Sequence, residues 1–279
     1  MVKKTKAIYQ GARIMAAIKR ITAIVLRHIL LLPKNFSRWI DMFFWPILDL
    51  LLWGFTTIYL NSHGPQGINF VMLFLGALIS WDILFRAQQS ITITFLEDIW
   101  ARNMLNLFVS PLSPLEFLSG AIIYGMLKHI ITMTFLVLLA FWLYSYNYLT
   151  LGFYLVPAVF NLLLFGWVIG IVATAVIVRF GQSAEIVAWG LAFMIQPFVG
   201  VFYPVSTMPP IFRAVSYALP PTYIFEQMRC IVLNKTVNIN FLWIAFALNI
   251  FYLLMAFVFF SYIWKSVKIK GYLTKLETQ

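Results

Sequence analysis

Residues 151–178 read LGFYLVPAVFNLLLFGWVIGIVATAVIV, a run without a single charged side chain. A helix of about 20 apolar residues crosses the hydrocarbon core of a bilayer, whereas a helix on the surface of a soluble protein keeps one face polar. The chain contains five more stretches of this kind, so we predict an all-α polytopic membrane protein with six transmembrane helices. The predicted spans are Trp39–Leu60, Asn69–Thr94, Phe117–Tyr146, Leu151–Val178, Ala184–Tyr203 and Phe241–Trp264.

Composition and charge distribution agree with this fold and orient it. Hydrophobic residues make up 62% of the chain and charged residues 10%, far from the values of a soluble domain. The net charge of +11 does not indicate nucleic-acid binding, because nine Lys and Arg precede the first span and four follow the last. Since Lys and Arg are retained on the cytoplasmic side, we predict that both termini are cytoplasmic and that the segment Pro204–Asn240 is external.

This pattern divides the chain into an interfacial helix (1–38), a transmembrane domain (39–264) and a basic cytoplasmic tail (265–279). The first part has apolar residues at helical spacing opposite a stripe of cations, each seven residues after the last: Lys6, Arg13, Arg20, Arg27 and Lys34. Such a stripe predicts a helix lying in the membrane interface with its cations on lipid headgroups, ended by Pro33. It is equally typical of a simple topology anchor. We expect no cleaved signal peptide, because no short apolar region with a cleavage site follows.

Charged residues within the spans are costly and point to specific contacts. Asp82 and Arg86 are four residues apart on one helical face, so we predict an ion pair. The pair is either part of a translocation path or, as we favour, a structural pair that fixes helix packing. Asp49 needs a partner from another helix or subunit, and Lys128 is expected to extend toward the cytoplasm. Gly166 and Gly170 predict a close approach of two helices.

The loop between the second and third spans is too apolar and aromatic for an idle linker. It predicts a short helix with Glu97 and Asp98 at its start, where acids suit the helix dipole, ended by Ser110-Pro111. A loop of this composition on the inner side is typical of a segment that packs against a cytoplasmic partner.

The external segment is divided by prolines into two predicted amphipathic helices, Ile211–Leu219 and Thr222–Leu233. The second carries a Glu226/Arg229 pair. Non-helical backbone at membrane depth must be buried in protein or line water. The segment is therefore either a re-entrant pair of half-helices capping a pathway or a loop that rests on the membrane.

Together these features resemble the type-2 ABC exporter permeases over nearly the whole chain. The marks that carry the resemblance are Asp41-Met42-Phe43-Phe44-Trp45-Pro46, Arg102-Asn103, Ser110-Pro111-Leu112-Ser113-Pro114-Leu115-Glu116, Tyr203-Pro204-Val205-Ser206 and Leu219-Pro220-Pro221. The resemblance implies a re-entrant helical pair at about 204–238, between spans five and six, in a multi-pass protein of a bacterial plasma membrane. It also implies a pathway between two permease copies, expected to be a homodimer, driven by two copies of a cytoplasmic ATPase subunit.

The resemblance further implies roles for individual residues. Those expected to couple the chain to the ATPase are Glu97, Asp98, Trp100, Arg102 and Asn103. Those expected to form the outer gate are Pro204, Pro209, Pro210, Pro220, Pro221, Glu226 and Arg229. The chain has no G-x-x-x-x-G-K-[ST] loop, so we expect ATP and Mg to bind to the partner ATPase, with no catalytic, cofactor or metal residue here.

The predicted function is the export of an amphipathic substrate, namely a lipid, a drug or a lipid-linked glycan. The apolar spans slightly favour a lipid or a drug. An alternative from another class is an ion-gradient-driven secondary transporter or channel that uses the Asp82/Arg86 pair, although no internal repeat supports it. A membrane enzyme acting on lipids is the least favoured, because the three His are scattered and no nucleophile–base motif is present.

Overall fold

The computed structural model describes residues 2–34, 36–64, 69–234 and 236–269, which are mostly helical and contain no β-strand. The α-helices are α1 (Val2–Leu31), α2 (Phe36–Trp39), α3 (Trp45–His63), α4 (Phe70–Trp100), α5 (Met104–Val109), α6 (Pro114–Tyr144), α7 (Leu155–Phe180), α8 (Glu185–Ile195), α9 (Pro210–Ala218), α10 (Pro220–Asn234) and α11 (Ile239–Ile269). The all-helical fold class is confirmed. Loop residues 65–68 and residues 270–279 of the predicted tail lie outside the described ranges.

Five helical segments are long and apolar enough to cross a membrane, and each overlaps a predicted span. They are Phe36–His63, Phe70–Trp100, Pro114–Tyr144, Tyr148–Phe180 and Ile239–Ile269. The predicted fifth span, Ala184–Tyr203, instead contains the shorter apolar segment Glu185–Phe198, which is α8 followed by a 3-10 turn. Pro197 lacks an N–H for a helical hydrogen bond, and Gly200 has a φ of 66°. The helix therefore ends early, and six helices of transmembrane length are not confirmed.

Helices α4 and α7 form the centre of the bundle. Of the most apolar 18 residues of the segment Tyr148–Phe180, which contains α7, 78% are buried within the chain. The corresponding share is 17% for α6 and for α11. The predicted close approach at Gly166 and Gly170 is confirmed, since both face α4. A Cβ atom added at Gly166 would lie 2.5 Å from the backbone oxygen of Leu84, so only glycine allows this contact. Helix α7 is therefore the most enclosed of the described transmembrane helices and packs tightly against α4.

The bundle has two distinct ends, which we call the base and the top. At the base, where α4 ends at Trp100, residues of α1, α6 and α11 join one apolar cluster that includes Ile24, Phe117 and Val267. Helix α1 ends at Leu31, just before Pro33, as predicted. At the top, where α4 begins, α10 packs against the start of α7, and the Tyr154 hydroxyl donates a hydrogen bond of 3.0 Å to the Ile224 carbonyl.

The two short amphipathic helices expected after the proline breaks are present. Helix α9 begins at Pro210 and α10 at Pro220, close to the predicted ranges. Proline is tolerated in the first turn of a helix, where its missing N–H costs nothing. The prolines therefore set where each helix starts.

Candidate functional site

Ion pairs at the base join the N-terminal segment to the ends of α4 and α6. We call this group the basal cluster; its members are Arg20, Arg27, His28, Arg38, Glu97, Asp98 and Glu116. Three guanidinium groups from the first 38 residues face three carboxylates from the α4–α6 region. Charge-assisted hydrogen bonds of this kind are about twice as strong as neutral ones.

Arg20 clamps α1 to the start of α6. Its Nη2 lies 2.5 Å from Glu116 Oε1 and its Nε lies 3.0 Å from Glu116 Oε2, a bidentate contact. The same carboxylate accepts a hydrogen bond of 2.8 Å from the Ser113 backbone N–H, which completes the N-cap of α6. The hydrogen bond to Glu116 raises the pKa of Arg20 above its ordinary value. The guanidinium thus stays charged and bound.

The end of α4 is held by two neighbouring acids. Arg38 Nη2 donates a hydrogen bond of 2.7 Å to Glu97 Oε2, and the buried His28 ring lies 3.5 Å from the same oxygen. Asp98 is fully buried and pairs with Arg27. Its Oδ1 also accepts a hydrogen bond of 3.2 Å from Asn103 Nδ2, so one carboxylate ties α1 to the turn that follows α4.

These contacts account for two of the five cations of the basic stripe on α1, whereas the position of α1 in the membrane interface stays a prediction. For Arg20 and Arg27 the partners are carboxylates of α6 and α4 rather than lipid headgroups. The side chain of Lys6 lies outside the described part of the chain. A helical period identifies which side chains share a face, but it does not identify what that face meets.

The predicted short helix with Glu97 and Asp98 at its start is wrong in its boundary. Both acids belong to the last turn of α4, and the separate helix α5 begins only at Met104. Between them Arg102 has a φ of 49°, a left-handed conformation that breaks the helix. The predicted stop at Ser110 is confirmed.

Of the residues predicted to couple the chain to an ATPase, the structure buries some and exposes others. Glu97, Asp98 and Asn103 lie together in the basal cluster and its turn, whereas Trp100 is 44% exposed and Arg102 is exposed. Further apolar side chains lie open at this end, including Leu115 and Val109, which is 86% exposed. We call this group (Trp100, Arg102, Val109 and Leu115) the base patch. An exposed apolar patch with a polar neighbour is typical of a protein contact surface.

The predicted ion pair in the second span is confirmed. Arg86 Nε lies 2.7 Å from Asp82 Oδ2, and both side chains are largely buried. Arg86 Nη1 also donates to the Asp41 backbone oxygen at 3.4 Å. A second pair, Lys128 Nζ to Asp41 Oδ2 at 3.8 Å, joins α6 to the π-helical turn before α3. This pair gives Lys128 a partner that no local spacing in the sequence reveals, and the expected extension of Lys128 toward the cytoplasm stays a prediction.

The residues predicted to form an outer gate come together at the top. Glu226 Oε1 accepts hydrogen bonds of 2.8 Å from Arg229 Nη1 and 2.7 Å from the Val205 N–H. Arg229 Nη2 donates to the Gly200 carbonyl at 2.7 Å. Pro204 precedes the turn at Val205–Thr207. The remaining prolines stand at the starts of the two short helices: Pro209 and Pro210 for α9, Pro220 and Pro221 for α10.

The described residues contain no group of three His, Cys, Asp or Glu side chains placed to hold a metal ion.

A family model described as "ABC-2 family transporter protein" matches residues 54–265 of the chain. The matched range is more than half of the chain and runs from α3 into α11. The comparison with curated proteins found no match.

Proposed function

The chain belongs to the ABC-2 family of transporter membrane proteins, and from this we propose that it is the permease subunit of an ATP-driven exporter. Membership makes it a multi-pass membrane transport protein and implies an ABC ATPase as partner. The exported substrate in this proposal is amphipathic: a lipid, a drug or a lipid-linked glycan. ATP and Mg bind to the separate ATPase.

The observation that carries the proposal is the construction of the base. Trp100, Arg102 and Leu115 of the base patch are exposed, yet they adjoin residues that the basal cluster holds: Glu97, Asp98, Asn103 and Glu116. A partner that binds Trp100 and Arg102 therefore acts on a rigid support rather than on a loose loop. Transport by an ABC machine needs such a support, because movement of the ATPase must reach the membrane helices.

The proposed assembly has two permease copies, as a homodimer, and two ATPase copies. Its base faces the cytoplasm of a bacterial cell, and both termini are cytoplasmic. The Lys and Arg of residues 1–38 support this orientation, because basic residues are retained on the cytoplasmic side.

We also propose that the short segment Glu185–Phe198 is a fifth, shortened crossing. Its contacts with neighbouring helices lie progressively nearer the top along the chain. Gln88 Nε2 of α4 donates a hydrogen bond of 2.8 Å to the Ala188 carbonyl. Just after the segment, the Phe202 ring stacks on Trp53 of α3 at 4.4 Å. Phe202 also lies 6.1 Å from Phe74, near the top of α4. Helices α9 and α10 then form the re-entrant pair of the outer gate.

Cysteine labelling tests this topology. In a Cys230→Ser background, cysteines placed at the exposed positions Ser62 and Ser206 are expected to react with an impermeant maleimide in intact cells. A cysteine at the exposed Ser183, between α7 and α8, is expected to react only after lysis. Labelling of Ser62→Cys but not of Ser206→Cys in intact cells would mean that the short segment does not cross.

The function itself is tested by purifying the tagged chain in mild detergent and identifying what comes with it. We expect a soluble subunit with a Walker A loop, at about one per permease, and ATP hydrolysis by the purified complex. If the chain is purified alone and transports without nucleotide when an ion gradient is applied, the secondary-transporter alternative is correct. In that case the ion pairs Asp82/Arg86 and Asp41/Lys128 are the first candidates for the site that binds the coupling ion.

A further inference from the structure

A cavity of about 180 Å³ lies between α3, α4 and the segment from α8 to Phe202. Its aromatic wall consists of Trp45, Trp53, Trp81, Phe85, Phe193 and Phe202. Two ring contacts hold that wall together across elements: Phe85 lies 4.9 Å from Phe193, and Trp53 lies 4.4 Å from Phe202. Four of the six rings of the lining are thus held against a ring from another element.

One carboxylate in this cavity is uncompensated. Asp49 is exposed, lines the cavity, and makes no ion pair or hydrogen bond within the described part of the chain. The other charges of the lining, Asp82 and Arg86, neutralise each other at 2.7 Å. The nearby Asp41 and Lys128 likewise form their own pair. Among these described side chains, Arg86 and Lys128 are each paired with one carboxylate, Asp82 and Asp41, and Asp49 has no paired cation of its own.

We propose that the cavity binds the cationic group of an organic amine or a quaternary ammonium compound, with Asp49 as its counter-ion. Aromatic faces attract cations through their quadrupole, and Trp is the strongest of them. A carboxylate within a membrane span is costly unless a charge is paired with it, so an arriving cation relieves that cost. An anion is not attracted in this way, because Arg86, the cation of the lining, is already paired with Asp82.

The size of the cavity limits which part of a ligand enters. Its volume of about 180 Å³ admits an ammonium head with its methyl groups but not a long apolar tail. The tail of an amphiphile lies outside the cavity, along exposed apolar side chains of α3 such as Leu52. That the bound cation is cargo rests on the proposed function; that the cavity binds a cation does not.

The test is binding by the full-length permease purified in a polyoxyethylene detergent, which offers neither charge nor sugar. Equilibrium dialysis compares benzyltrimethylammonium with benzenesulfonate, an anion of similar size. We expect the cation to bind at least tenfold more tightly than the anion. Asp49→Asn is expected to weaken cation binding at least tenfold, and Asp49→Glu to stay within about threefold of the wild type, since the charge decides the affinity.

Two further variants separate the site from general effects. Trp53→Leu, which removes a ring of the lining, is expected to weaken binding more than Trp53→Phe. Glu185→Gln makes the same acid-to-amide change outside the cavity, and Trp243→Leu removes an exposed ring at the top of α11; both are expected to leave binding unchanged. Thermal unfolding of each variant shows whether it is folded.

Several results would overturn the inference. Absence of cation binding by the wild type, equal binding of cation and anion, or unchanged affinity in Asp49→Asn each would do so. If the purified protein binds maltose and not the cation, the aromatic wall is a binding site for sugars. Loss of the dimer in Asp49→Asn, without cation binding by the wild type, would show that Asp49 pairs across two copies. None of these measurements requires the ATPase, so failure here leaves the purification test of the transporter untouched.

Discussion

Replacement of Asp98 with asparagine is expected to lower the unfolding free energy by on the order of 3 kcal/mol, because one partner of a buried ion pair is lost. Asp98 is fully buried and pairs with Arg27, whose side chain is about one-third exposed. The exposed fraction of Arg27 lets water compensate in part, which places the loss at the lower end of the range for buried pairs. Thermal unfolding of the purified protein is the measurement.

Transport is expected to fall with stability in this variant, because Asp98 also holds the turn before α5 through Asn103. Glu185→Gln provides the matched control, since Glu185 makes no ion pair among the described residues and the change is chemically the same. An Asp98→Asn protein that unfolds at the same temperature as the wild type would show that the pair does not support the base.

The double variant Trp100→Ala/Arg102→Ala is expected to abolish ATP-driven transport, with a loss of at least tenfold, while the protein still inserts and folds. Both side chains lie on the surface of the base, so their removal leaves no cavity in the core. Their loss removes the aromatic and cationic contacts that most often dominate binding at an interface. Transport into inside-out vesicles and co-purification of the ATPase measure the effect.

Two controls isolate the contact from the fold. Trp243→Ala removes an exposed tryptophan from the top, away from the proposed ATPase contact, and is expected to retain transport. Arg102→Gly removes the same side chain but suits the φ of 49°, so it distinguishes loss of the guanidinium from strain in the turn. Full transport by the double variant would remove Trp100 and Arg102 from the coupling surface.

Hydropathy predicted the helices well where an apolar run was long and continuous, and least well at α8. The run Ala184–Tyr203 counts as a span by apolar content alone, yet Pro197 and Gly200 interrupt its hydrogen bonding, and the helix ends at Ile195. Both interrupting residues are visible in the sequence. Apolar content measures preference for lipid, whereas helix length depends on where the backbone can continue.

Short-range pairs were predictable, and long-range pairs were not. Asp82/Arg86 and Glu226/Arg229 follow from three- and four-residue spacing on one helix, and both are present. The pairs Arg27–Asp98, Arg20–Glu116 and Lys128–Asp41 join segments far apart in the chain, and only packing brings them together. The basal cluster was therefore not predictable from the sequence, although its arginines and carboxylates are all visible there as charged residues.

Helix α4 joins the base to the top without a proline in its 31 residues, which makes it about 46 Å long. Its lower end carries Glu97 and Asp98 of the basal cluster, and about two-thirds of the way up the Ser80 hydroxyl lies 3.3 Å from the sulfur of Met228 in α10. If the helix moves as a stiff rod, a tilt of about 5° about Trp100 displaces Ser80, about 30 Å away, by roughly 2.6 Å. We therefore expect a small tilt imposed at Trp100 to reach α10, the helix that carries Glu226 and Arg229.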